Sequence, residues 1–268
     1  MIIDFHTHIF PDRIAPVTIQ KLSEKAQIPA YTDGTLDDLK RSMEASQVGI
    51  SVVLPVVTRP DQFSSVNRFA RKITPEEFTE EGGLLSFGGI HPDTGNYKVE
   101  VDEIARMGLK GIKIHPDYQQ VFIDDIRYLR ILDRAAEKGL IVIAHAGVDI
   151  GLPEVVHCTP DRVERVLAQI DDGILVMAHM GGYDCWEDVE KYLTGSRLYF
   201  DTAFCLGHMA EEQFIRICRA HGTDRILFAT DSPWDGQKEF ITKLENLPLT
   251  QKEKEAIAGE NAKRILKI

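Results

Sequence analysis

Eight short runs rich in β-branched and apolar residues recur along this chain, at Ile2–His6, Ile50–Val57, Leu84–His91, Leu109–His115, Leu140–His145, Gly173–His179, Arg197–Asp201 and Arg225–Asp231. Between them lie segments with helical spacing, such as TLDDLKRSMEAS, IDDIRYLRILDRAAEKG, TPDRVERVLAQI and MAEEQFIRICRAHG, several closing on glycine as helices often do. Strand and helix therefore alternate. The runs LIVIA and ILVMA are almost continuously apolar, and such strands need cover on both faces, which a parallel sheet obtains from helices packed outside it.

Eight such units in 268 residues fit an α/β fold of the (β/α)8 TIM-barrel type, for which about 250 residues is typical. Residues 1–268 are read as one domain, since no linker, repeat or low-complexity tract divides them. A doubly wound open sheet is the alternative, but no glycine-rich phosphate loop follows any strand. Residues 10–34, with Pro11, Pro16, Pro29 and Gly34, read as a long connection, either surface decoration or a wall of a substrate site.

Hydrophobic residues make up 43% and charged residues 27% of the chain, the balance of a folded globule. A net charge of -11 with no basic block argues against nucleic acid and anionic membrane surfaces as partners. A small-molecule substrate is expected, and assembly into homo-oligomers stays open. Cys158, Cys185, Cys205 and Cys218 form no CxxC pair, which fits buried thiols in a reducing cytoplasmic setting. No secretory leader is recognised, because the presumed first strand begins at Ile2. No apolar run approaches the about 20 residues a membrane span needs.

The chemistry gathers where the strands end. Of nine histidines, His6, His8, His91, His115, His145 and His179 fall there, and the eighth run ends in Asp231. In a parallel barrel these ends converge on the face that carries active sites. Alternation along a strand puts His6 and His8 on one face, roughly 6.5 to 7 Å apart between Cα atoms. His145, His179 and Asp231 arrive from later strands, and imidazole with carboxylate suits Zn2+, Mn2+ or Fe2+ better than Ca2+ or Mg2+.

One strand-end histidine is more often hydrogen-bonded structure than a ligand, but the ordered set HxH, AH, AH, ATD points to a shared metal. His157, His208 and His221 lack that context. By parity, Asp4 and Lys113 should point into the barrel, Asp4 as a brace for the ligands. Lys113 could bind a substrate carboxylate, polarise an oxygen or, if carboxylated, bridge two metals. His91 and His115 each precede Pro-Asp, which marks a turn; either could also touch substrate. Trp234 in TDSPW is read as a pocket wall.

The motifs DFHTH, GIKIHPD, AHAG, AHMGG, ILFATDSPW and ENAKRIL, in this order over essentially the whole chain, resemble the amidohydrolase superfamily, and within it the amidohydrolase 2 branch of decarboxylases and lactonases. The resemblance implies a (β/α)8 barrel with one divalent ion, Zn2+ before Mn2+ or Fe2+, held by His6, His8, His145 and Asp231. It implies His179 as the residue activating water beside the ion, with direct ligation by His179 an alternative, and Lys113 without a bridging role. TatD-type nucleases share several of these motifs but normally carry a glutamate on the fourth strand, where this chain has its lysine-histidine stretch.

The leading expectation is metal-dependent hydrolysis of a small amide, ester or lactone, with His179 and Asp231 moving protons. Non-oxidative decarboxylation of an unsaturated or aromatic acid is the alternative within the same branch, with Arg13, Arg59 or Lys113 to hold a carboxylate. A TatD-like nuclease and a metal-binding protein without turnover are the further alternatives.

Overall fold

The structure is a computed structural model that describes residues 1–75 and 82–268. Its strands are β1 (Ile2–Thr7), β2 (Val48–Val53), β3 (Gly83–Ser86), β4 (Gly88–Gly89), β5 (Gly111–Ile114), β6 (Ile141–Ala144), β7 (Leu175–Met177), β8 (Tyr199–Asp201) and β9 (Ile226–Leu227). All pairings are parallel, in the orders β1-β2-β3 and β4-β5-β6-β7-β8-β9. Only Phe87 separates β3 from β4, so the two are halves of one strand and the ring counts eight. It closes where the Phe5 N–H donates to the Phe228 carbonyl (2.9 Å) and the Asp231 N–H to the His6 carbonyl (2.9 Å). This is a (β/α)8 TIM barrel.

Two apolar layers follow from strand alternation. Phe5, Val52, Phe87, Ile143, Val176 and Leu227 belong to one buried cluster that fills the barrel, joined at its base by Ala262, Ile265 and Leu266 of the last helix. Ile112, Ile114, Val142, Met177 and Phe200 belong to the second cluster, packed against the outer helices. Among the described residues, no helix is long and apolar enough to cross a membrane.

Two local readings of the sequence are corrected. The segment expected as a long connection contains helix α1 (Ala15–Ala26), with Pro16 in its first turn, where the missing N–H costs nothing and the fixed φ suits a helix. Strict alternation also fails in β1. Asp4 pairs with Ser51 and turns outward, accepting from Gln237 Nε2 (2.8 Å), Thr230 Oγ1 (2.6 Å) and the Thr230 N–H (3.0 Å). The register then shifts between Asp4 and Thr7, which lets His6 face inward two residues later. Burial raises the Asp4 carboxyl to about 6, and it braces the strand from the helix side.

Candidate metal centre

His6, His8, His115, His145 and His179 lie near the end of β1 or just past the ends of β5, β6 and β7, and their side chains gather at the mouth of the barrel. His6 Nδ1 is 2.8 Å from Asp201 Oδ2. A carboxylate only accepts, so Nδ1 carries the proton and Nε2 presents a lone pair. His8 Nδ1 likewise donates to the Leu54 carbonyl (2.9 Å), leaving its Nε2 bare. The two Nε2 atoms are 3.1 Å apart, and each is 3.2 Å from Asp231 Oδ1. Donors held about 2.1 Å from one ion lie about 3.0 Å apart at right angles and about 3.4 Å apart tetrahedrally. His6, His8 and Asp231 therefore fit a divalent cation.

The positive charge here belongs to Lys113, whose Nζ is 3.1 Å from His6 Nε2 at the floor of the site. Burial brings Lys113 down to about 8, against the pull of Asp201 and Asp231. Burial, and then Lys113, holds His6 well below the ordinary imidazole range, so the ring is neutral as ligation requires.

His179 Nδ1 donates to the Ala203 carbonyl (2.9 Å), and its bare Nε2 is 3.0 Å from His145 Nδ1. The His6 and His179 rings are 5.4 Å apart. His179 is thus the nearer neighbour of the triad, and His145 stands one ring further out. Both His179 (φ 60) and Asp231 (φ 68) hold left-handed backbone, which non-glycine residues adopt at a cost that concentrates at functional sites.

A second group of possible donors, His115, His145 and Asp149, lies alongside. His115 is sandwiched between Tyr118 (4.1 Å) and His145 (4.2 Å). Its Nδ1 accepts from the Tyr118 N–H, so Nε2 keeps its proton and faces Asp149 Oδ2 at 3.4 Å. In this tautomer His115 presents a proton, not a lone pair, to Asp149.

A cavity of about 300 Å³ opens above the triad, and Lys113, His115 and Trp234 are among the residues that line it. Leu22, Lys25 and Ala26 of α1 and the rings of Phe10, Tyr118, Tyr183 and Phe204 form part of its walls. His91 does not line it; its Nδ1 accepts from the Asp93 N–H (3.1 Å) and braces the turn. Arg13 and Arg59 are also outside the lining, and Arg59 is paired with Asp61 in solvent.

Sequence reading missed Asp201, Asp149, Asp117 and Lys25. For Asp201 a signal existed, because it ends the seventh run as Asp231 ends the eighth. Asp149 lies on a loop, Lys25 on α1 and Asp117 in the short helix Pro116–Gln119, where no strand parity aims a side chain.

An architecture of this kind, with imidazole and carboxylate at the carboxyl ends of barrel strands, defines a metal-site barrel of the amidohydrolase type. The amidohydrolase family model (Amidohydro_2) matches residues 3–268, and the chain belongs to that family. No protein of curated function matches it by sequence.

Among solved structures it is similar to an uncharacterized TIM-barrel protein from Bordetella bronchiseptica, with 19% identity, a TM-score of 0.77 and coverage of 99% of this chain and 98% of that one. It is also similar to 2,6-dihydroxybenzoate decarboxylase from Rhizobium (13% identity, TM-score 0.71, 99% and 98% covered). A third is dihydroxybenzoic acid decarboxylase from Polaromonas with bound manganese and 2-nitroresorcinol (13%, 0.72, 99% and 96%). All share the barrel.

Proposed function

We propose that this protein is a metal-dependent, non-oxidative decarboxylase of a small aromatic or unsaturated carboxylic acid. The observation that carries this reading is the Lys113 ammonium buried beside the triad, at the floor of a cavity with aromatic walls. With a divalent ion in place, the ion and Lys113 outweigh Asp201 and Asp231, and the floor needs one more anion. A carboxylate on a flat apolar body meets both demands. Two of the similar barrels are decarboxylases of dihydroxybenzoates, one with manganese, which favours Mn2+ over the Zn2+ expected from sequence.

A bound divalent ion would supply a Lewis acid that polarises an oxygen of the acid. Lys113 holds the carboxylate in place. The aromatic walls exclude water and favour the spread of the carboxylate charge into the substrate as the carbon–carbon bond breaks. Carbon dioxide leaves, the electron pair stays on the substrate carbon, and a proton drawn from solvent and passed along Asp231 quenches it. His179, whose bare Nε2 can take up a proton from solvent, relays it toward that carboxylate.

Hydrolysis of a lactone or ester is the second reading, favoured by the bare His179 Nε2 as a base for water. Incubating the Mn2+-loaded protein with 2,6-dihydroxybenzoate, related hydroxybenzoates and simple lactones decides between them. Carbon dioxide release with one solvent deuterium in the product supports decarboxylation; turnover only of lactones, with 18O taken up from water, overturns it.

A further inference from the structure

We propose that Asp117 is the positioning residue for His145 at the metal centre, and that His157 in turn anchors Asp117; the proposal rests on His145 serving as a ligand. Asp117 follows the His115-Pro116 turn and is 2% exposed, while His145 is 8% exposed. Asp117 Oδ1 accepts from the His157 N–H (2.9 Å) and from His157 Nδ1 (3.0 Å). Its Oδ2 and His145 Nε2 are both buried without any hydrogen-bond partner, and they face each other at 4.0 Å.

The gap has a chemical reason. His145 Nδ1 gives its proton to the acceptor Nε2 of His179, so in this tautomer His145 Nε2 is a lone pair set against a carboxylate oxygen. Two acceptors do not close. Ligation through Nδ1, the nitrogen on the His179 side, requires the proton to move to Nε2. There it meets Asp117 Oδ2, and an approach of about 1 Å gives a charge-assisted hydrogen bond. The tautomer that can bind metal is the one that satisfies both orphaned atoms, so Asp117 biases His145 toward it.

The test is the Mn2+ dissociation constant by chelator competition for wild type, Asp117→Ala, Asp117→Asn, His145→Ala, His157→Ala and the Asp117→Ala/His145→Ala pair, with 15N NMR of the His145 ring during Zn2+ addition. Expected are a weakening of about 10- to 100-fold for Asp117→Ala that vanishes in the His145→Ala background, partial rescue by Asn, and transfer of the ring proton from Nδ1 to Nε2. Should Asp117→Ala not fold, His157→Ala decides, with a several-fold weakening expected. Asp117→Ala within twofold of wild type, an equal effect without His145, or an unchanged tautomer overturns the proposal. Wild-type affinity in His145→Ala removes the ligand role itself, and the proposal with it.

Discussion

Asp201 ties two strand ends together through one carboxylate. Its Oδ2 accepts from His6 Nδ1 at 2.8 Å, while its Oδ1 accepts from the backbone N–H of His179 at 2.8 Å and of Ala203 at 3.1 Å. The first bond fixes the His6 tautomer and the others hold the left-handed turn at His179. Burial raises the Asp201 carboxyl above the ordinary range, but His179 and Lys113 oppose the rise.

Asp201→Asn keeps the size and loses the charge, and its amide can satisfy only part of this donor set. Metal affinity should fall about 10- to 100-fold, with a loss of about 2 kcal/mol in stability from the unpaired donors. Chelator competition and denaturant melts of the metal-free protein measure the two effects separately.

His6→Ala and His8→Ala remove donors from the triad itself, so each should cost more than the about 10- to 100-fold expected for an outer carboxylate. Elemental analysis after dialysis against limiting Mn2+ should show near one ion per chain for wild type and almost none for either variant. Full occupancy in both would refute the triad.

Lys113→Met exchanges a buried ammonium for a thioether of similar length, so the barrel should keep its packing. Losing a charge-assisted contact of about 1.5 to 3 kcal/mol should weaken binding of a benzoate-type acid by about 10- to 100-fold. Calorimetric titration of the Mn2+-loaded variant with 2-nitroresorcinol as a ligand lacking the carboxylate gives the control, which should change far less.

His221 supplies a pH dependence remote from the centre. Its ring stacks on Phe200 (3.9 Å), its Nε2 donates to the Leu198 carbonyl (3.0 Å), and burial lowers it from 6.5 to about 4. Between these values the unfolded chain binds the proton and the folded one does not, so stability rises with pH through this window. The contribution of at most about 3 kcal/mol is complete above about pH 6.5 and is lost progressively as pH falls toward 4. His221→Gln should lack this part of the slope in melts from pH 7 to 4.5.

Much of this was legible in local pattern. Continuously apolar runs at regular spacing yield eight strands and their helical cover, because burial on two faces leaves a mark on every residue of a short strand. The strand-end residues His6, His8 and Asp231 were legible for the same reason, since parallel strands deliver their ends to one place. The outward turn of Asp4 was not, because it depends on a register shift between β1 and β2 that exists only once the two strands pair. Helix α1 was hidden by the prolines that bracket it.

By itself, then, the sequence determined the barrel and the residue types at its mouth, through hydrophobic period and order along the chain. Only the tertiary structure decided which nitrogen of each imidazole faces the centre. That choice belongs to the partner on the other nitrogen: Asp201 for His6, the Leu54 carbonyl for His8, the Ala203 carbonyl for His179. Those partners lie 195, 46 and 24 residues away in the chain, and a hydrogen bond between such distant groups is set by packing and leaves no local signature.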